Sequence, residues 1–161
     1  MPNGFIWSRF RILLAWLALF ALLYFAVDRY LKPKPMTISA SGDLVITRAR
    51  DGHFHVPGAV NGKPVLFLVD SGASLVVVSE GFARMAGLPT GEATTFNTAN
   101  GPIPGQIVAN VPVSVGPVQV SGIRVGVGLH GMDVDKALLG QNFLNKFDIS
   151  VTKDQMVLRK R

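Results

Sequence analysis

"FLVDSGAS", residues 67 to 74, runs three apolar residues into an acid, a hydroxyl residue, a glycine and an alanine. Read locally, Asp70 opens a turn at a strand's end, since Asp, Ser and Gly all favour turn conformations. Two features of its setting set it apart. It follows "PVLFLV", a run apolar enough to be buried on both faces, and it precedes small residues that let another backbone come close. An acid at the rim of a core is placed for general acid-base work. The other acids, Asp28, Asp43, Asp51, Glu80, Glu92, Asp133, Asp135, Asp148 and Asp154, mostly lie among polar or turn residues.

Other chemistries find little support. The chain has no cysteine, which removes thiol nucleophiles and disulfides. His53 and His55 are two apart on an expected strand, so both point to one face, and no third ligand has suitable spacing for a metal. His130 is a loop residue without an evident partner, and no good Ser/His/Asp arrangement stands out. No metal and no cofactor are implied.

Outward from Asp70 the signals are mostly β. "DLVITRAR", "HFHVPGAV", "PVLFLVD", "ATTFNTA", "QIVANVPVSV", "VQVSGIRVGVG", "DISVT" and "QMVLRK" are short runs rich in Val, Ile, Thr and Phe between Gly, Pro, Asn and Asp. Asn61-Gly62 between two of them predicts a type I′ hairpin turn, which needs positive φ at both central residues. Two helical stretches interrupt. "SEGFARMAGL" has Ser79 as N-cap and Gly87 as C-cap, and "GQNFLNKF" offers one or two turns after Gly140. The fold class is all-β, a small barrel or sandwich with one or two short helices.

The N-terminus differs in kind. Ile12 to Val27, "ILLAWLALFALLYFAV", carries no charge and as a helix would be about 24 Å long. Phe10 and Tyr30 suit the interfaces, and Arg9, Arg11, Arg29 and Lys32 can reach toward headgroups. Signal-peptide cleavage wants small residues at the first and third positions before the cut, but bulky Tyr24 precedes Ala26. The segment reads as an uncleaved signal anchor, and "KPKPMTISASG" after it as a semi-extended stalk. Basic residues nearly balance across the helix, so charge alone gives no orientation. The net charge of +6 lies at both ends of the chain without interleaved aromatics. That favours attraction to a membrane surface over nucleic-acid binding.

Two more stretches complete the pattern. "FNTANGPIPG", residues 96 to 105, looks like a glycine- and proline-rich hairpin tip with Asn100-Gly101 at its turn. "KALLGQNFLNKF", residues 136 to 147, sets Leu138 and Leu139 before Gly140 and a short helix. An acid-hydroxyl-Gly-Ala loop after an apolar strand, such a hairpin, then two aliphatics and Gly entering a helix, resembles the ground plan of retropepsin-like aspartic proteases. More narrowly it is similar to the bacterial members with one membrane anchor before a single protease domain.

The resemblance covers about residues 43 to 158 and implies a small closed barrel of the retropepsin-like acid protease fold. It implies Asp70 as the catalytic acid, with Ser71, Gly72 and Ala73 supporting it in the catalytic loop. Thr98, Ala99, Asn100 and Gly101 would be the flap over an extended peptide, and Leu138, Leu139 and Gly140 would pack behind the loop. Proteases of this type use two carboxylates that share one proton, because like charges so close cannot both ionise cheaply. This chain holds one Asp-Ser-Gly, so activity would require a homodimer with one Asp70 from each subunit. The implied organisation is a cytoplasmic segment 1–11, a transmembrane anchor 12–30, a linker 31–42 and a protease domain 43–161. The resemblance also implies a single-pass inner-membrane protein with its domain in the periplasm, acting on protein or peptide substrates.

One departure stands out. Viral members commonly place an acid after the Ala of the loop and an Arg after the later Gly, forming an ion pair; here those positions are Ser74 and Gln141, while Asn142 still follows. Both partners are absent together, so no charge is stranded. Two other readings remain open on the same barrel: a peptide-binding module that does not cut, and a structural envelope module that merely dimerises.

Overall fold

The computed structural model describes residues 4–31, 36–98, 101–128, 131 and 133–161. The chain divides into two compact units, Met1–Pro33 and Lys34–Arg161. The first is one helix, α1 (Gly4–Leu31). Its stretch Arg11–Arg29 is long and apolar enough to cross a membrane, and its apolar side chains from Ile12 to Val27 are exposed. At 1.5 Å per residue, 28 residues extend about 42 Å, beyond the hydrocarbon thickness of about 30 Å.

The second unit is a barrel. Its strands are β1 (Thr37–Ile38), β2 (Leu44–Thr47), β3 (His55–Val60), β4 (Lys63–Val69), β5 (Val76–Val78), β6 (Glu92–Thr98), β7 (Gly101–Val115), β8 (Val118–Val127), β9 (Lys136–Leu139), β10 (Phe147–Val151) and β11 (Gln155–Lys160). Two short helices lie among them, α2 (Glu80–Met85) and α3 (Gln141–Leu144). One sheet runs β3-β4-β9-β5-β8-β7-β6, and β3 also pairs with β7. That extra pairing, Gly58↔Val115 to Val60↔Val113, closes the sheet on itself. Closure removes strand edges that would otherwise invite pairing with other chains. The β6–β7 hairpin projects from the ring, and a second sheet, β1-β2-β11-β10, lies beside it.

Alternation along the strands fills the interior. Val56, Val60, Phe67, Val76, Val78, Val113, Val115, Val125, Ala137 and Leu139 are fully buried, and Phe143 of α3 plugs the same core. Strand β4 departs from the expectation of burial on both faces. Val65 and Phe67 point inward and are buried, with Val69 packed against the same core, while Leu66 and Leu68 on the other face are half-buried. A barrel strand has one face in the core and one on the outside, and here the outer face is only partly covered.

Local signals behave as their chemistry demands. Asn61 and Gly62 have φ of 51° and 76°, as a type I′ turn requires. Ser79 Oγ accepts from the Phe82 N–H at 3.1 Å, capping α2. At the other end Ala86 is the cap, and Gly87, at φ 63°, is the residue after it. The Leu88 N–H donates to the Ala83 carbonyl and the Gly87 N–H to the Arg84 carbonyl, the paired closure that a left-handed glycine permits.

Two strands and the first part of a third lie outside the sequence expectation. β1 falls within the stretch read as stalk and pairs with β2 through Thr37↔Val45 and Ile38↔Leu44. β5 is only three residues, all buried, too short to show a period. β7 starts at Gly101 and runs through Pro102 and Pro104.

The junction of β9 and α3 sets the geometry around Asp70. A Cβ on Gly140 would overlap the Leu75 carbonyl oxygen and lie 2.6 Å from the Ala73 carbonyl oxygen. Both obstacles are backbone, so relief means moving a strand. Gly140→Ala is therefore expected to destabilise the protein by about 3 kcal/mol or more. Gly62→Ala meets no atom within 4 Å and strains only its own φ, for about 1 kcal/mol. Thermal unfolding of the two variants checks the order, and equal losses would contradict this account of the junction.

Candidate active site

Asp70 sits at the end of β4, in a loop held from behind by β9. Strand β9 lies between the two strands that flank the loop, parallel to β4 (Val69↔Leu139) and antiparallel to β5 (Val77↔Leu138). The Asp70 N–H donates to the Leu139 carbonyl at 3.1 Å, so the residue's backbone is fixed to β9 before the loop turns away. Asp70 Oδ1 accepts the Gly72 N–H at 2.8 Å, and the Asp70 carbonyl accepts from Ala73 at 3.3 Å. Asp70 is half-buried, Ser71 and Gly72 are exposed. The carboxylate is thus oriented by the loop and open to a ligand.

The first turn of α3 braces this loop. The Gln141 N–H donates to the Ala73 carbonyl at 2.8 Å and the Asn142 N–H to the Ser74 carbonyl at 3.1 Å. The Asn142 side chain spans two more elements: its Oδ1 accepts the Val76 N–H at 2.9 Å and its Nδ2 donates to the Arg124 carbonyl at 2.7 Å. Gln141 Nε2 donates to the Ser71 carbonyl at 3.0 Å. Three of these bonds hold the loop, at Ser71, Ala73 and Ser74, and the other two tie Asn142 to β5 and β8. Sequence reasoning singled out Leu138, Leu139 and Gly140 for this place, and the structure brings them there, with Leu139 and Gly140 buried and Leu138 half-buried. It did not foresee the side-chain work of Gln141 and Asn142. The signal was available in "LLGQN", two amides at a helix start where side-chain bonds to a neighbouring loop are common.

The hairpin read as a flap is β6 and the first part of β7, in register from Glu92↔Ile107 to Thr98↔Gly101. Thr98 Oγ1 donates to the Gly101 carbonyl at 2.7 Å, and Gly101 has φ 105°. Ala99 and Asn100 lie outside the described residues. The Phe96 ring covers two glycines: a Cβ on Gly105 would overlap it, and one on Gly126 would come within 2.9 Å of it. The Gly91 N–H donates to Gln106 Oε1 at 3.0 Å.

The histidines fall elsewhere. His53 is exposed, and His55 is half-buried with its Nε2 2.7 Å from Asp51 Oδ2. The His53 backbone N–H and then the His55 side chain hold the Asp51 carboxyl below its usual range. Lys136, beside Asp133, is raised for the corresponding reason. His130 lies outside the described residues. No group of three or more His, Cys, Asp or Glu side chains among the described residues is arranged to hold a metal.

Comparison with known proteins agrees with this layout. The family model described as "gag-polyprotein putative aspartyl protease" matches residues 56–146, a span from β3 to the end of α3 that includes the Asp70 loop, the hairpin and Leu138–Gly140. An uncharacterized protein of Rickettsia prowazekii is 31% identical over 121 residues, covering 73% of this chain and 51% of its own length. An uncharacterized Sinorhizobium protein is also 31% identical over 121 residues, with 73% and 52% covered. The chain thus spans about half the length of the curated relatives it matches. The crystal structure of a retropepsin-like aspartic protease from Rickettsia conorii superposes with a TM-score of 0.62 at 31% identity, covering 73% of this chain and 89% of that one. With one acid-bearing loop clamped by β9 and α3 inside the matched span, this chain belongs to the retropepsin-like aspartic protease family.

Proposed function

We propose that the protein is a membrane-anchored aspartic endopeptidase whose active unit is a homodimer, with the Asp70 carboxylates of two copies sharing one proton. The observation that carries this reading is the Asp70 loop itself: one carboxylate, oriented through Oδ1 by the Gly72 N–H and half-open to solvent. One carboxylate would take a proton from a water as it attacks the scissile carbonyl. The other would protonate the carbonyl oxygen, giving a tetrahedral intermediate with no acyl-enzyme. A single carboxylate per loop cannot act as acid and base at once, hence the second copy.

Three features support a two-fold arrangement. The exposed Ser71 hydroxyl has no hydrogen-bond partner among the described residues, leaving it available to an opposing loop. Gly72 presents no side chain to that approach. Among the described residues, strand β10 is a sheet edge with β11 as its one neighbour. Its Ile149 and Val151 share a face with Leu158 and Met156 through the pairs Ile149↔Leu158 and Val151↔Met156. Yet Ile149 is 40% and Val151 53% exposed where Leu158 and Met156 are 1% and 8%. An uncovered core-side stripe on an open strand edge suits pairing with its own symmetry mate.

The flap and anchor complete the reading. The β6–β7 tip, Thr98 to Gly101, would close over an extended peptide and hydrogen-bond its backbone. Leu138, Leu139 and Gly140 would hold the loop in register. The N-terminal helix, long and apolar enough to cross a membrane, would keep the enzyme in the inner membrane with its barrel on the periplasmic side, an orientation that rests on the family likeness. The substrates would be proteins or peptides near that surface.

Asp70→Asn is expected to abolish peptide cleavage by the full chain in detergent while leaving the unfolding temperature nearly unchanged, because the Asn Oδ1 still accepts from Gly72. A peptide library across pH 4 to 7 is the measurement; equal cleavage by both proteins would end the catalytic reading, and equal peptide binding with no cleavage by either would favour the binding module. Activity per chain should also rise with protein concentration. Val151→Lys, which charges the open edge, should lower activity by more than about tenfold at a fixed dilute concentration. Full activity in that variant would place the subunit contact elsewhere.

A further inference from the structure

We infer that Gln141 is a positioning residue for Asp70, acting through the single peptide unit that joins Ser71 to Gly72; the inference rests on the protease reading and deepens it. Gln141 Nε2 donates to the Ser71 carbonyl at 3.0 Å, and the Gly72 N–H donates to Asp70 Oδ1 at 2.8 Å. That carbonyl and that N–H belong to the same planar amide and point to opposite sides of it. The side chain of α3 and the carboxylate are therefore the two ends of one relay: amide donor, peptide, carboxylate. In such a chain each bond polarises the next, so a donor at the carbonyl strengthens the N–H as a donor to Oδ1.

The relay also fixes an angle. Ser71 and Gly72 are exposed and have no core contact to stop their peptide from turning, and Gly72 has no side chain to resist rotation. Gln141 Nε2 ties the Ser71 carbonyl to α3. Gln141 can hold it because its own backbone is pinned, its N–H on Ala73 and its neighbour Asn142 tied to Ser74, Val76 and Arg124. The residue after Ala73 is Ser74, so no carboxylate at that position competes with the Ser71 carbonyl for the Gln141 amide. With the peptide fixed, Oδ1 is held by the Gly72 N–H and the orientation of the carboxylate is set. Small errors in such an orientation are expensive in rate, while an exposed hydrogen bond adds little to stability.

The test separates donor from shape. Gln141→Met keeps the length and loses the donor; Gln141→Lys keeps a donor on a stem of similar reach. In the full chain in detergent, the Met variant should lose about tenfold in kcat with KM within about twofold and an unfolding temperature within a few degrees of wild type. The Lys variant should recover most of that loss. Unchanged kcat in the Met variant, or a Lys variant as slow as the Met one, overturns the inference. The second readout does not need turnover: the Gly72 amide proton resonance should move upfield in the Met variant and return toward wild type in the Lys variant. An unmoved resonance overturns the relay even if no peptide is ever cleaved, whereas a wild type whose cleavage survives Asp70→Asn overturns the protease reading alone.

Discussion

Gly140 has no side chain, and the carbonyl oxygens of Ala73 and Leu75 take up the space a side chain would fill. The architecture around Asp70 follows from that contact. Because the backbone of the β9–α3 junction can approach the loop so closely, β9 fits between β4 and β5, and the first turn of α3 presents its free N–H groups to loop carbonyls. Those N–H groups have no partner within a helix and must find one outside it. Here the need is met by Ala73 and Ser74, so capping the helix and shaping the loop are the same set of bonds.

The barrel supplies the rigidity behind this contact. Closing the ring through β3 and β7 leaves few open strands among the described residues, and the inward Val, Phe and Leu side chains form one continuous core. What projects from the ring is built differently. The β6–β7 hairpin has alternating half-buried and exposed residues, and its Phe96 ring covers two glycines. If the hairpin moves as the proposed flap, a stiff barrel would confine that movement to it, since core strands open only at high free-energy cost.

Much of this was legible in the sequence. Asn61-Gly62, the Ser79 cap and most strands follow from turn chemistry and β-rich composition acting locally, and "FLVDSGAS" with "LLGQN" marked the loop and its support. What escaped was set by tertiary pairing. β5 is three valines that are a strand only because β9 and β8 lie on either side. β7 carries Pro102 and Pro104, which read as loop, yet there it pairs with β6 alone, and a residue lacking an N–H can face the unpaired side. The stretch read as stalk reaches β2 through two residues, too few to leave a pattern. The hydrogen bonds of Gln141 and Asn142 depended on a loop about 70 residues away along the chain.

The loop's electrostatics also bear on how two copies could meet. An ion pair at positions 74 and 141 would tie loop and helix by charge, but it would also carry charge toward any surface the loop joins, with the desolvation that burial demands. In place of that pair, Gln141 ties helix to loop by a neutral bond to the Ser71 carbonyl. In the proposed dimer the attraction between copies then comes from apolar burial along β10 and from backbone pairing, terms that are modest for one short strand. Confinement of both chains by a membrane helix would raise their effective concentration without any new contact. In the proposed dimer a weak interface and an anchor would be two parts of one solution, the anchor supplying in local concentration what the interface lacks in binding.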